Sequence, residues 1–284
     1  MLFRSRWLGN ANYEIAYKGK VYLLDTYYDR KARSRPLGFR AADVKRADVI
    51  FVGHAHFDHI SDIGPVSRQT RAPVVGSPIT IDTALKLGMP NDQARPASGG
   101  ESFRFGELFV DTTLARHSTI QPGLIEAYAN VYKVEVRPDT PEEAAETKAV
   151  MSRGSNSPDI VDKGTLAFGF TFANGFKTVV FSSAGPVTPG AKALADKFGR
   201  ADVAIVSYQP HAVAERQVEE SWPLIEAFNP RLFLPAHHDA SFGTWLDLGL
   251  EPLFERLRDK LPETSYLAPL YRSDRKSTRL NSSH

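Results

Sequence analysis

Short apolar runs alternate with amphipathic stretches along the chain, and these two patterns predict strands and helices respectively. Residues 49–52 are β-branched or aromatic and are followed by Gly53, which is typical of a buried strand. Two hairpins are predicted, one around Gly106 and one around Asn174-Gly175, where a turn signal separates two apolar runs. The remaining pattern predicts helices at 60–70, 79–87, 141–151, 189–198, 222–228 and 251–261, and strands at 72–75, 203–207 and 231–234.

The order of these elements predicts the fold class. Hairpins are mixed with strand–helix units, so we expect an α/β protein in which two mixed sheets pack face to face with helices outside. The length suits one domain, residues 1–273. Residues 121–163 separate the two hairpins, and a long insertion of this kind is typical of a lid or binding loop. Arg153, near its end, is a candidate contact for an anionic substrate.

The last eleven residues, 274–284, are polar and have no periodicity. They resemble the translation of a common sequencing-adapter DNA, so we expect them to contribute nothing to the fold. Arg275, Lys276 and Arg279 against Asp274 give this tail a charge of 3 − 1 = +2, which equals the net charge of the whole chain. The body is therefore neutral and lacks the basic footprint of nucleic-acid binding, so we expect a small-molecule substrate.

Other features limit the classes of protein that the chain can represent. No apolar run approaches the roughly 20 residues of a membrane span and no signal peptide is visible, so we expect no membrane partner and take the cytoplasm as the default location. The chain has no cysteine, which excludes thiolate ligands and cysteine nucleophiles. The sequence predicts no particular oligomeric state.

Four candidate metal ligands lie in the turn after the strand at 49–52: His54, His56, Asp58 and His59. Sites in α/β proteins form where strands end, at their C-terminal edge. His54 and His56 are two residues apart, so in an extended turn they point the same way, and Asp58 and His59 can face a second position. Imidazole and carboxylate suit zinc, and also manganese or iron. This cluster predicts a site for one metal ion or for two side by side.

The His-x-His-x-Asp-His motif after a buried strand resembles the signature of the metallo-β-lactamase fold hydrolases. The opening of the chain, residues 7–15 and 21–25, is similar to the first two strands of that family. The nearest branch contains L-ascorbate-6-phosphate lactonase and many uncharacterised hydrolases. The resemblance covers most of the chain and implies an αβ/βα metallo-β-lactamase sandwich with a zinc-dependent, lactonase-like hydrolase activity.

Two further ligands follow from this resemblance. The family places a histidine after the strand that corresponds to 108–114, which implies that His117 completes a three-histidine site with His54 and His56. The run 231–239 is similar to the family's closing motif of strand, proline, one residue and histidine, which implies His237 as a ligand. His238 is the alternative ligand.

One position departs from the family pattern. The family has Gly-Asp-Thr-Gly after the strand at 176–181, and its aspartate bridges two metals, whereas the best alignment places Ala184 there. Sliding the register by one residue offers Ser183, a weak ligand when neutral. Three interpretations remain open: a site with one metal, a site with two metals bridged only by hydroxide, and a non-catalytic relative.

These residues together predict a metal-dependent hydrolase. A hydroxide held by one or two Zn²⁺ ions, with Mn²⁺ or Fe²⁺ as alternatives, would attack a lactone, phosphoester, amide or thioester, and Asp58 would orient the water or handle its proton. A nucleic-acid-processing metallohydrolase is the alternative enzyme class, and the neutral body disfavours it. The third class is a non-catalytic metal-binding protein, which Ala184 makes plausible.

Overall fold

The computed structural model describes residues 3–119, 137–209, 214–239, 249–271 and 274–277. Its first sheet has seven strands in the order β14-β1-β2-β3-β4-β5-β6. Neighbouring strands from β14 to β3 pair antiparallel, and neighbouring strands from β3 to β6 pair parallel. The bounds are β1 Phe3–Trp7, β2 Tyr13–Tyr17, β3 Lys20–Leu24, β4 Val49–Phe51, β5 Val74–Gly76, β6 Ala94–Pro96 and β14 Asp274–Ser277.

The second sheet repeats this organisation. Its order is β13-β12-β11-β10-β9-β8-β7, with antiparallel pairing from β7 to β10 and parallel pairing from β10 to β13. The bounds are β7 Ser102–Phe105, β8 Leu108–Leu114, β9 Leu166–Phe172, β10 Lys177–Phe181, β11 Val203–Ser207, β12 Leu232–Ala236 and β13 Ser265–Tyr266. Both predicted hairpins are present, since β7 pairs with β8 and β9 with β10.

The described helices begin at recognisable signals. Ser77, Thr140 and Thr188 each accept a backbone hydrogen bond at a helix N-terminus, and each is followed by proline in the first turn, where a missing N–H costs nothing. The bounds are α1 Phe57–Ile60, α2 Ile63–Thr70, α3 Pro78–Lys86, α4 Pro141–Met151, α5 Pro189–Phe198, α6 Ala214–Phe228 and α7 Glu251–Lys260. None of them is long and apolar enough to cross a membrane.

Alternation along the strands produces four layers. In β4, Val49 and Phe51 join the core between the two sheets, while Ile50 belongs to the core under α2 and α3. In β10, Val180 faces the core between the sheets, and its neighbours Val179 and Phe181 pack with the cluster that includes α5, α6 and α7. The predicted fold class, two mixed sheets face to face with helices outside, is confirmed.

Some predicted boundaries differ from the structure. The helix expected at 60–70 is divided into α1 and α2, and the helix expected at 222–228 begins at Ala214 despite the internal Pro223. The tail was expected to contribute nothing, but the backbone of Asp274–Ser277 pairs antiparallel with β1 at the edge of the first sheet. Strand pairing uses backbone groups that every sequence carries except at proline, so a polar segment without periodicity can still extend an open edge.

Candidate metal centre

Three histidines from two separate loops form the first ligand cluster. His54 and His56 follow β4, and His117 follows β8 in the other sheet. The Nε2 atom of His117 lies 3.1 Å from Nε2 of His54 and 3.2 Å from Nδ1 of His56. We call this group the histidine triad; its three ligand atoms all lie within 4.8 Å of one another.

The chemistry of the histidine triad fits a cation. Nδ1 of His117 lies 2.6 Å from the Ser118 carbonyl oxygen, which can only accept, so this nitrogen carries the proton and Nε2 is left with a lone pair. One lone pair accepts one hydrogen bond, yet two ring nitrogens from His54 and His56 approach it. A divalent ion placed between Nε2 of His54, Nδ1 of His56 and Nε2 of His117 would accept a lone pair from each of these three nitrogens.

The second cluster consists of Asp58, His59 and His237, and we call it the mixed triad. Asp58 and His59 are in α1, and His237 directly follows β12, with a left-handed backbone at φ 62°. Asp58 Oδ2 is 3.1 Å from His237 Nε2, and Asp58 Oδ1 is 3.8 Å from His59 Nε2. The rings of His54 and His59 have centroids 3.8 Å apart, so the two triads are adjacent.

Asp25 fixes the orientation of His59. Its Oδ2 atom is 2.7 Å from His59 Nδ1, and its Oδ1 atom accepts a 2.8 Å hydrogen bond from the backbone N–H of Gly53. The carboxylate holds the proton on Nδ1 and leaves Nε2 free to face Asp58, which is the arrangement that supports a metal-binding histidine. Asp25 lies just after β3, with φ 56°.

Burial and mutual repulsion keep most of the histidines neutral. Burial lowers the pKa of His54 well below its usual range and, with His56 beside it, lowers the pKa of His117 to about 3. Burial would lower the pKa of His59 as well, but the Asp58 and Asp25 carboxylates outweigh it and raise that pKa. Neutral imidazole is the form that binds a metal, and a divalent ion can replace the proton that the carboxylates favour on His59.

Asp58 is an ionised carboxylate in a partly buried place. Burial alone would raise its pKa, but His59, the hydrogen bond with His237 and the nearby His56 hold that pKa well below its usual range. An ionised carboxylate at this point gives the mixed triad one negative charge, whereas the histidine triad has none. The two triads are therefore two candidate metal positions with different electrostatics.

Asn10, in the turn between β1 and β2, connects the two loops that form the mixed triad. Its side-chain amide donates to the backbone carbonyl of Asp58 at 2.5 Å, and its backbone carbonyl accepts from the backbone N–H of His237 at 2.8 Å. Asn10 adopts φ 51°, a left-handed conformation that asparagine tolerates. Its backbone N–H in turn donates to Oδ1 of Asp239 at 2.8 Å.

The residues after His237 face away from the ligand clusters. The ring of His238 stacks on Trp7, with centroids 4.4 Å apart. Asp239 forms a buried ion pair of 2.8 Å with Arg30 and accepts from the Tyr271 hydroxyl, and these partners lower its pKa to about 2 despite its burial. This geometry favours His237 over His238 as the ligand of the mixed triad.

The loop after β10 brings no carboxylate to either triad in the described part of the chain. Ser182 Oγ lies against Gly53, where an added Cβ would come within 1.7 Å of it. Ser183 Oγ accepts from the backbone N–H of Ser118 at 3.3 Å. Ala184 is fully buried. The loop is thus packed against the neighbours of His54 and His117, but it supplies no anion there.

Comparison with known proteins identifies the family. A family model described as the beta-lactamase superfamily domain matches residues 20–238, which is most of the chain and includes every candidate ligand. The chain belongs to the beta-lactamase superfamily. A relative from Solibacter usitatus (strain Ellin6076), described as a UPF0173 metal-dependent hydrolase, is 31% identical over 113 residues, which cover 39% of this chain and 46% of the relative. The chain thus matches about half the length of such relatives.

Solved structures of low sequence identity share the superfamily's fold with this chain. Igni18, described as a novel metallo hydrolase from Ignicoccus hospitalis KIN4/I, superimposes with a TM-score of 0.67 at 13% identity, and the match covers 98% of this chain and 99% of that one. CmlA, described as a diiron beta-hydroxylase from Streptomyces venezuelae, has a TM-score of 0.56 at 13% identity and covers 97% of this chain and 54% of its own.

Part of the 121–163 insertion packs on the segment 53–59, which carries four of the candidate ligands and which we call the metal loop. The backbone N–H of Ser155 donates to the Ala55 carbonyl at 2.8 Å. Gly154 approaches Phe57 so closely that an added Cβ would lie 2.3 Å from the Phe57 nitrogen. Arg153, the candidate substrate contact, forms a 3.1 Å ion pair with buried Asp62 instead, so it supports the loop. Residues 121–136 lie outside the described residues, and the lid stays a prediction.

All six ligands predicted from the sequence of this chain fall in the two triads, and their role in binding metal remains a prediction. Three supporting residues were not assigned from the sequence: Asn10, Gly154 and Arg30. The only local signal for Asn10 is its position after Gly9 in a turn. The contacts of all three join residues far apart in the chain, and no periodic pattern records such contacts.

Proposed function

We propose that this chain is a metal-dependent hydrolase with two ion positions, the histidine triad and the mixed triad. The observation that carries the proposal is the approach of two ring nitrogens, from His54 and His56, to Nε2 of His117, whose single lone pair can accept only one hydrogen bond. The description of the relatives as metal-dependent hydrolases supports it. The ions are proposed to be Zn²⁺, because a three-histidine set and a set of two histidines with one carboxylate are both common for zinc.

Other metals are the alternatives to zinc. Histidine and carboxylate also accept Mn²⁺ and Fe²⁺, and CmlA is described as a diiron protein on the same fold. Repulsion between two dications is strong here, because Asp58 is the one carboxylate among the six proposed ligands. We therefore infer that the two positions fill in sequence, with the second ion bound more weakly than the first.

Asp58 is the proposed catalytic residue. A divalent ion with an open position lowers the pKa of a water ligand from 15.7 to about 7 and polarises a carbonyl or phosphoryl oxygen. Since the pKa of Asp58 is held well below its usual range, its carboxylate stays ionised at neutral pH. It is suited to accept a hydrogen bond from the attacking water and so to aim the water's lone pair at the substrate. Asp25 keeps His59 in the tautomer that leaves Nε2 available.

The proposed substrate is a small molecule with an ester-type bond: a lactone, phosphoester, amide or thioester. The neutral charge of residues 1–273 supports a small molecule over a nucleic acid. The choice within this class depends on the loops around the site, because one fold serves many substrates.

A non-catalytic metal-binding role is the second candidate, and Ala184 favours it. Without a bridging carboxylate, one ion or none could be bound, and turnover would be lost. Metal content measured together with turnover separates this candidate from the hydrolase.

The test is elemental analysis of the full chain after loading with Zn²⁺, Mn²⁺ or Fe²⁺, followed by assays on lactones, carboxylic esters and phosphoesters. We expect between one and two ions per chain, rising with the free metal concentration. His237→Ala should remove one ion and reduce turnover at least about 100-fold, because transition-state contacts of this kind contribute about 3 kcal/mol or more. His238→Ala is the matched control and should keep the metal content, because its ring stacks on Trp7.

Loss of metal in His238→Ala but not in His237→Ala would reverse the ligand assignment. Bound metal without turnover on any substrate, in a chain that is folded by circular dichroism, would favour the non-catalytic role. A chain that binds no metal after loading would contradict both candidates.

A further inference from the structure

A cleft of about 1000 Å³ lies between the segment that follows β3 and helix α4. Cationic side chains dominate its lining, with six cations against four acids. The cations are Arg30, Lys31, Arg33, Arg35, Arg40 and Arg153. A concave surface with an excess of cations attracts anions, but only cations that are not already paired can bind them closely.

Four of the six cations form ion pairs, and the other two, Arg35 and Lys31, each lie against an aromatic ring. Arg35 lies over the ring of Tyr271, 5.2 Å from its centroid. The other four arginines form ion pairs: Arg30 with Asp239 at 2.8 Å, Arg33 with Asp139 at 3.0 Å, Arg40 with Asp29 at 3.1 Å and Arg153 with Asp62 at 3.1 Å. In these four pairs a carboxylate offsets the charge of the arginine, which reduces its attraction for an additional anion.

Lys31 is the one of these two cations that lies against the loop carrying the candidate ligands. Across the described ranges it forms no ion pair, and its backbone N–H donates to the Tyr27 hydroxyl at 3.1 Å. Its ammonium nitrogen is 5.9 Å from the centroid of the Phe57 ring. Phe57 is the residue between His56 of the histidine triad and Asp58 of the mixed triad, so Lys31 lies where the cleft adjoins the metal loop.

The electrostatic surroundings of Lys31 are unfavourable for an isolated cation. Burial lowers its pKa, Asp58 acts in the opposite direction, and Arg30 lowers it further. Ions in the two triads would add positive charge close by and strengthen this repulsion. An anion held between Lys31 and the metal positions would relieve it. An ammonium group that extended into solvent would be stabilised by water and would not need an anion to offset this repulsion.

We propose that Lys31 is a substrate-binding residue whose ammonium group holds an anionic oxygen group, a carboxylate or a phosphate, on the non-reacting part of the substrate. This assignment rests on the proposed function and makes it more specific: the substrate is a small anionic ester-type molecule. Binding energy gained at such a remote group orients the reactive bond at the metal centre.

The experiment is calorimetric titration of the metal-loaded full chain with inorganic phosphate and with acetate at constant ionic strength. Lys31→Met removes the charge and keeps the length of the side chain. Lys31→Arg keeps the charge, and Lys192→Met is the matched control, because Lys192 is exposed on α5 and pairs with Asp196. We expect Lys31→Met to weaken anion binding at least tenfold, with Lys31→Arg restoring most of the affinity and the control unchanged. Metal content is measured for every variant.

Weakening for phosphate alone would identify a phosphate group, and weakening for both anions would identify an oxygen anion of either kind. Equal affinities of the parent chain and Lys31→Met would overturn the proposal, as would a metal-loaded parent chain that binds neither anion. If the chain takes up no metal, the proposed function fails, yet the same comparison on the metal-free chain still tests whether Lys31 binds an anion, because Lys31 lines the cleft whether or not ions are bound.

Discussion

At the scale of single residues, Ala184 is the position where a single substitution tests how the two ion positions interact. Ala184→Asp would place a carboxylate in a fully buried position of the loop that packs beside His54 and His117. In the metal-free chain we expect this buried, unpaired charge to reduce the free energy of unfolding by about 3–5 kcal/mol. With metal present, the new anion should offset the repulsion between two dications and raise the affinity for the second ion.

Urea unfolding with and without metal, combined with elemental analysis, measures both effects. Ala184→Asn is the matched control, since it has the same shape without the charge; it should destabilise the metal-free chain and leave the second ion no more tightly bound. If Ala184→Asp lowers the affinity for the second ion, the alignment of Ala184 with the bridging position is wrong.

At the scale of elements, local patterns predicted the strands and helices well, because the residue pattern of each element reflects which of its faces is buried. The continuous apolar runs of β4 and β10, the Asn174-Gly175 turn, and the threonine–proline start at 188–189 all have local physical causes. Contacts between residues that are distant in the sequence leave no such local pattern. Asn10 and Asp239 are 229 positions apart, and the close approach of Gly154 to Phe57 depends on where the insertion lies in space.

The packing of the insertion on α1 yields a prediction at this scale. Gly154→Ala would place a methyl group 2.3 Å from the backbone nitrogen of Phe57, and backbone atoms cannot move aside as a flexible side chain can. We expect a loss of about 1–3 kcal/mol of stability from overpacking. Because Phe57 directly precedes Asp58, the affinity for the ion in the mixed triad should fall as well.

Thermal unfolding and metal titration check this expectation. Ser152→Ala is the control, because Ser152 is exposed two residues away and its hydroxyl donates to the Ala149 carbonyl within its own helix end. A Gly154→Ala variant with the stability and metal content of the parent chain would show that the insertion does not hold the metal loop.

At the scale of the whole molecule, two sheets of similar organisation bring their strand ends to one edge. β4 supplies four of the six candidate ligands through the loop that follows it, and β8 and β12 of the other sheet supply His117 and His237. The site therefore exists only when both sheets are packed together, so the folding of the whole chain and the formation of the centre are coupled. Any condition that makes the ligands titrate should change the stability of the entire fold.

Acid provides the test of this coupling in the metal-free chain. His54, His56 and His117 have pKa values lowered by folding, while that of His59 is raised. Below about pH 6.5 the unfolded chain binds protons on the three histidines that stay neutral in the folded chain, and His59 acts in the opposite sense. Asp62 also acts in the opposite sense, because burial raises its pKa to about 6 in the folded chain. The net difference is 3 − 2 = 1 proton, so the free energy of unfolding should fall as the pH decreases below about 6.5.

Each net proton contributes a slope of about 1.4 kcal/mol per pH unit. Urea unfolding with chelator present, from pH 7.5 to 5.0, measures this slope. His117→Asn removes one of the three histidines that resist protonation and should make the slope shallower. A flat profile in the parent chain, or an unchanged slope in His117→Asn, would mean that the histidine triad is open to water and not enclosed by the two sheets. Such an enclosure is also what gives a bound ion the low dielectric constant that strengthens its effect on a substrate.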